Sequence, residues 1–182
     1  MIRFFTYMLA GLVLGGIIHI CVILIMPVVS TQNAWVSIST FAPNNELRIL
    51  GPDDAALETS LELDPAFVHA VCQVSLDDGP VEIVGALPAT FWSAALVAQD
   101  GSVPYSTTSR TNNSRDMNIG IFNVDQARKL ISDELEIDES QQIVRVPTNQ
   151  LTAIIRVLPT HPSLSAAVEA QLENVRCAPL WG

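Results

Sequence analysis

The sequence predicts a mainly β fold, an antiparallel β-sandwich or rolled sheet with two peripheral helices, preceded by one N-terminal transmembrane helix. Three observations lead there. The chain opens on a long apolar run, its later part strings short β-type segments between turn dipeptides such as Asp100-Gly101, and only two stretches after the opening carry helical spacing.

The opening MIRFFTYMLAGLVLGGIIHICVILIMPVVS has Thr6 and His19 as its only strongly polar side chains between Phe4 and Met26. As a helix, these 23 residues reach roughly 34 Å, enough for a hydrocarbon core of about 30 Å. A cleaved signal peptide has a shorter apolar region, about 7 to 15 residues, ending at an A-x-A-like site. Val28-Val29-Ser30 is a poor site of that kind, so the reading is a retained signal anchor. Arg3 ahead of the span places the N-terminus in the cytoplasm and everything after Pro27 outside. The chain then divides into a cytoplasmic tip at 1–3, a transmembrane signal anchor at 4–26, a membrane-proximal lead-in at 27–62 and a β-rich outer domain at 63–182. Nine basic residues stand against nineteen acidic ones, net −10, which argues against nucleic acid or anionic headgroups as partners.

Within the lead-in, AWVSISTF and ELRIL read as short strands on either side of polar residues, and GPDD as a break. FVHAVCQVSL, VEIVG, FWSAALVA and VPYSTT follow as strands, with DDGP and QDGS as turns. QQIVRVP and LTAIIRVLP are two more strands, and the short spacing favours antiparallel hairpins over crossovers. NVDQARKLISDEL is a helix capped by Asn123, with Gln126 in the capping-box position. PSLSAAVEAQLENV is a terminal helix with Pro162 in its first turn, whose stripe of Leu164, Ala167, Val168, Leu172 and Val175 packs on the sheet.

A two-residue type I′ turn at Asp100-Gly101 sets Leu96 opposite Tyr105 and Ala94 opposite Thr107. Pro104 cannot donate to a ladder, so the second strand of this hairpin belongs at an edge or a bulge. Trp92 and Tyr105 are either core aromatics or, with Arg110, a ligand or partner face. Cys72 and Cys177 predict a disulfide between an early strand and the final helix, the alternative being two buried free thiols.

Little in the chain points to catalysis. There is no G-x-S-x-G elbow, and His69 and His161 have no motif that sets them beside a nucleophile. HxH, HExxH and CxxC spacings are absent, so no metal is expected, and the acidic run DELEIDE lacks the EF-hand ligand order. No glycine loop cradles phosphate and no cofactor is expected. In the span, Gly11 and Gly15 form a G-x-x-x-G and His19 follows at the next i+4 step, a stripe suited to helix association.

Taken together, GLVLGGIIHICVILIMP, DPAFVHAVCQVSLDDGPV, FWSAALVAQDGSVPYSTTSR and LENVRC resemble short single-span envelope proteins of alphaproteobacteria carrying the domain of unknown function 1254. Phe91, Trp92 and Ser93 match that family's Phe-Trp-Ser hairpin entry, and Tyr105, Ser106 and Arg110 its Tyr-Ser exit ending in Arg. Ala98 and Gln99 stand where a Tyr-Asp pair is often found, which weakens a polar site at the hairpin tip. The resemblance implies a β-rich fold, an anchor in the inner membrane with the domain in the periplasm, and no settled activity. It also implies a companion, a second membrane-anchored β-rich protein, because larger members fuse this domain to another β-rich one. The expectation is a non-catalytic partner subunit or assembly factor of an envelope complex. A glycan- or lipid-binding sandwich is the alternative, and a hydrolase with a convergent His site the third.

Overall fold

The computed structural model describes residues 2–51, 54, 59, 63–111, 116–132 and 140–181, with 27–34 and 131–132 described by backbone alone. A single 40-residue helix, α1 (Ile2–Phe41), carries the apolar opening. Its candidate span, Ile2–Met26, is wholly exposed, as an apolar surface awaiting lipid or another helix would be. That span has the length and composition of a signal anchor or a signal peptide.

AWVSISTF is the C-terminal end of α1 and not a strand. Ile38 and Ala42 are buried and Trp35 and Phe41 half-buried, a stripe of helical period laid against the β-domain. Its hydroxyls, which favour strands or turns in isolation, bond back into the helix: Ser39 Oγ and Thr40 Oγ1 both donate to the Val36 carbonyl, at 3.0 and 2.8 Å. Tertiary burial of one stripe here overrides local β propensity.

Among the described residues nine strands follow: β1 (Leu47–Ile49), β2 (Val68–Ser75), β3 (Val81–Ala86), β4 (Trp92–Ala98), β5 (Tyr105–Thr108), β6 (Asp116–Asn123), β7 (Gln142–Val146), β8 (Gln150–Val157) and β9 (Arg176–Pro179). They form two sheets, one ordered β1-β2-β8-β4-β5 and the other β7-β6-β3-β9, packed as a sandwich with helices α2 (Val124–Ser132) and α3 (Ser165–Leu172) outside. Named strand pairs are antiparallel except β6–β7, which run parallel because α2 carries the chain back across between them. The capping box starts this crossover helix: Gln126 N–H donates to Asn123 Oδ1 at 2.8 Å, and Asn123 N–H to Gln126 Oε1 at 3.0 Å.

Two strands depart from the sequence expectation. In β6 the Asn118 and Gly120 positions dilute the β signal, and β9 is only four residues ending in Pro179. The terminal helix stops at Leu172, and of the expected stripe Val168, Leu172 and Val175 are buried whereas Leu164 and Ala167 are exposed. ELRIL does contain β1, the edge of the larger sheet.

The hairpin register is the expected one, Leu96 opposite Tyr105 and Ala94 opposite Thr107, with β5 at the sheet edge. The turn differs. Gly101 alone takes a positive φ, +82°, its N–H donates to the Ala98 carbonyl at 2.9 Å, and Ala98 N–H donates to the Ser102 carbonyl at 2.8 Å. This is a type I turn closed by a glycine bulge. The residue it adds is taken up at Val103-Pro104, before β5 begins, so the register is restored. Asp100 Oδ1 fixes the turn by accepting from Ser102 N–H at 2.9 Å and Ser102 Oγ at 2.6 Å.

Between the sheets the inner faces alternate as the pleat requires. Val68, Ala70, Cys72 and Val74 of β2 lie beside Val157, Ile155, Ala153 and Leu151 of β8, which in turn neighbour Trp92, Ala94, Leu96 and Ala98 of β4. Val81, Ile83, Met117, Ile119 and Ile121 oppose them from the other sheet. Cys72 and Cys177 are joined by a disulfide across this core, linking a strand inside one sheet to the edge strand of the other; Cys177 lies on β9 rather than on the final helix. A structural disulfide fits an extracytoplasmic domain.

The bond spans 105 residues of sequence, so the chain-entropy model assigns it about 3 to 5 kcal/mol. Replacing both cysteines by alanine should lower the Tm on the order of 10 °C, and reducing the wild type should do the same; an unchanged Tm in both would contradict a structural role. Gly85 on β3 offers a second test. A Cβ there would lie 2.6 Å from Val175 Cα and 2.9 Å from the Asn174 carbonyl oxygen, backbone atoms of the turn between α3 and β9. Gly85→Ala is expected to destabilise the domain by about 1 to 3 kcal/mol in urea unfolding, whereas Gly51→Ala, with no atom near its Cβ and no positive φ, meets no such clash.

Candidate functional site

Sheet β1-β2-β8-β4-β5 is covered on its outer face too. All eight residues of β2 are buried, so His69, Val71 and Gln73, which alternation turns away from the core, lie under other parts of the chain. Ala42 and Leu50 bury against Val71, with Phe41, Leu63 and Ile154 packed round them. Arg48 clamps the end of α1: its guanidinium lies 4.0 Å from the Phe41 ring centroid, and Nη1 donates to the Phe41 carbonyl at 3.2 Å.

The cover is incomplete. Between the end of α1 and the sheet lies a cleft of about 190 Å³, walled by Trp35, Ile38, Leu63, Val71, Val97 and Ile154, with Thr152 and the β4–β5 turn at Gln99 and Gly101 completing it. Among the described residues, buried Thr152 Oγ1 has no hydrogen-bond partner, and neither has Nε2 of Gln73, the residue directly opposite on β2. Sequence reading placed Gln99 and Gly101 at the hairpin turn and assigned none of these residues to a site. The available signal was FVHAVCQVSL itself, a near-continuous apolar run of the kind that marks a strand buried on both faces.

His69 lies further along the same face, opposite Arg156 and 1% exposed, and among the described residues its Nδ1 has no partner. Burial, and secondarily the Arg156 charge, hold its pKa below the ordinary imidazole value, against an opposing pull from Asp64. His161 is elsewhere: it caps the short 3₁₀ turn Pro162–Leu164, with Nδ1 accepting from Ser163 N–H at 3.2 Å and 2.9 Å from Ser163 Oγ.

Trp92, Tyr105 and Arg110 do not share one accessible surface. Trp92 is 2% exposed inside the core, Tyr105 is half-buried on the neighbouring edge strand, and Arg110 is exposed in the turn after β5. The Tyr105 hydroxyl lies 3.0 Å from Gln142 Oε1, to which it donates. Gln142 also lines a second, more polar cleft of about 360 Å³ with Asp116, Asn118 and Ser140. Burial raises the Tyr105 pKa. Gly11, Gly15 and His19 lie on one exposed stripe of α1, with nothing within 4 Å of either glycine Cβ position.

Among the acidic groups, Asp77 is committed to the fold: it accepts from Asn149 Nδ2 at 2.9 Å and Gln150 Nε2 at 2.7 Å, which holds its pKa below the usual carboxylate value. DELEIDE at 133–139 and the loop residues 112–115 lie outside the described residues. Among the described residues no group of three His, Cys, Asp or Glu converges as metal ligands would.

No family model and no curated protein matches the chain. Its fold is similar to that of a crystal structure of the VPA0106 protein from Vibrio parahaemolyticus, with a TM-score of 0.60 and 14% identity over 83% of this chain. An uncharacterized protein from Burkholderia cenocepacia aligns over 74% of the chain with a TM-score of 0.43 and 14% identity. The chain spans about a third of the length of these structures, 35% and 34%. At such identity the Vibrio likeness is one of fold.

His69 gives this face a pH dependence. Its folded pKa is depressed, so the unfolded chain binds the proton more readily between that value and about 6.5. The stability held above pH 6.5 is therefore lost as pH falls from 6.5 toward the folded-state pKa. Melting of the full chain between pH 7.5 and 5.5 should show a smaller loss of Tm in His69→Gln than in wild type; parallel profiles would remove His69 as the cause.

Proposed function

We propose that the chain is a non-catalytic partner subunit or assembly factor of a cell-envelope complex, held in the inner membrane by one signal anchor with its N-terminus in the cytoplasm and its β-domain in the periplasm. The observation that carries this reading is the continuity of α1. One helix is bare and apolar over Ile2–Met26, then buries Ile38 against the β-domain, which Ala42 adjoins. The membrane segment and the sandwich are thereby one piece, a design suited to positioning a domain at a fixed place over a membrane partner.

Two features support a companion protein. The exposed Gly11, Gly15 and His19 stripe offers a close-approach surface with one polar group. The fold also corresponds to about a third of a larger Vibrio protein, which suits a module working beside other modules. The companion is a second membrane-anchored β-rich protein, in keeping with the sequence resemblance to the family carrying the domain of unknown function 1254. A ligand face at Trp92, Tyr105 and Arg110 has less in its favour, because the Trp92 ring belongs to the core.

Tagged full-length chain, recovered from its own membranes in mild detergent, should bring down a membrane protein in stoichiometric amount. Gly15→Leu should cut that recovery several-fold while leaving the β-domain folded. Recovery of the chain alone, or equal recovery with Gly15→Leu, would count against helix association.

A further inference from the structure

We propose that the cleft between the end of α1 and the outer face of the larger sheet binds a single aliphatic chain carrying a neutral oxygen head, an ester carbonyl or a hydroxyl. The site is independent of the partner reading and lies away from Trp92, Tyr105 and Arg110.

Three properties of the cleft select this chemistry. Its walls are hydrocarbon, from Trp35, Ile38, Leu63, Val71, Val97 and Ile154, which favours an apolar occupant. At about 190 Å³ it is smaller than the roughly 300–1,000 Å³ of drug-sized sites, so it suits a slender chain better than a fused ring system. Among the described residues no charged side chain lines it, so a carboxylate head would be buried without a counter-charge from them.

The polar end is supplied by the sheet. Thr152, which lines the cleft, and Gln73 opposite it on β2 are 1% and 2% exposed, and among the described residues Oγ1 and Nε2 have no partner, a costly arrangement unless something completes it. Exchange of the Thr152 hydroxyl and methyl between staggered χ1 positions turns Oγ1 into the cleft, where a ligand oxygen bonds to it. The location also fits a molecule from the bilayer: Trp35 and Ile38 lie nine and twelve residues beyond Met26 on the same helix, roughly 14 and 18 Å along its axis.

Bromine quenching of tryptophan fluorescence tests the site, with the full chain held in phosphatidylcholine nanodiscs and Trp35 as the reporter. Four probes are compared: methyl 8-bromooctanoate, 8-bromooctan-1-ol, 1-bromooctane and 8-bromooctanoate. The ester and alcohol should quench saturably and bind about two- to tenfold more tightly than the bromoalkane, the range one net hydrogen bond gives; the carboxylate should bind weakly. Thr152→Val keeps the shape and removes the hydroxyl, so it should erase the preference of ester and alcohol over alkane. Val97→Phe should abolish saturable quenching by filling the cleft. Nanodiscs of lipid brominated on the acyl chain distinguish the source, because quenching there without added probe, lost in Val97→Phe, identifies a bilayer lipid, and its absence alongside probe binding identifies a free amphiphile. Non-saturable quenching, equal affinity for all four probes, or identical behaviour of Val97→Phe would overturn the proposal.

Discussion

The Cys72–Cys177 bond crosses the sandwich at the place where the two sheets most need holding. Cys72 belongs to β2, the strand through which the larger sheet meets both the core and the end of the long N-terminal helix. Cys177 belongs to β9, a four-residue edge strand that follows directly on the α3 turn. A strand so short gains little from its own ladder, and its position depends on Val81 to Val84 of β3 alongside it and the covalent tie beneath it. Through β9 the bond also fixes α3, whose Val168 and Leu172 close one side of the core.

With the inner faces fixed in this way, the outer face of the larger sheet becomes the variable part of the structure. An antiparallel sheet commonly leaves that side to water. Here β2 is buried on both sides, and the end of α1 with Leu50 and Leu63 does the covering. A polar alternation remains beneath that cover in His69, Gln73 and Thr152, so the face carries polar groups in a setting that gives them few partners. Such groups lower stability unless they have a use, which makes this face the chemically unusual part of the domain.

Much of this fold was legible from sequence because its signals are local. Asn123 and Gln126 lie three residues apart and satisfy each other's backbone groups, and Asp100 and Gly101 mark the turn between β4 and β5, although the register also depends on Val103-Pro104. The apolar span announced itself by length. AWVSISTF was not legible, since eight residues rich in β-branched and aromatic types suit a strand as well as a helix end, and the deciding contact is with Val71, Ile154 and their neighbours far along the chain. Strands β6 and β9 were obscured for related reasons: Gly120 and Asn118 weaken the first, and the second gains its extended form by pairing with β3. The cleft was hidden altogether, because it is assembled from α1, β2, β4, β8 and Leu63, and no single stretch carries it.

A continuous helix between the apolar span and the domain also acts as an angular index. Each residue added to an α-helix turns the remainder of the chain by about 100° and advances it by about 1.5 Å. The number of residues between Met26 and Ile38 therefore sets the compass bearing of the sandwich relative to the Gly11, Gly15 and His19 stripe, as well as its height. One inserted residue would swing the domain more than a quarter turn about the helix axis, whereas seven would return it nearly to its starting azimuth, about 10 Å farther out. Chain length in that segment is thus a coordinate, and point substitutions that preserve the helix leave it untouched.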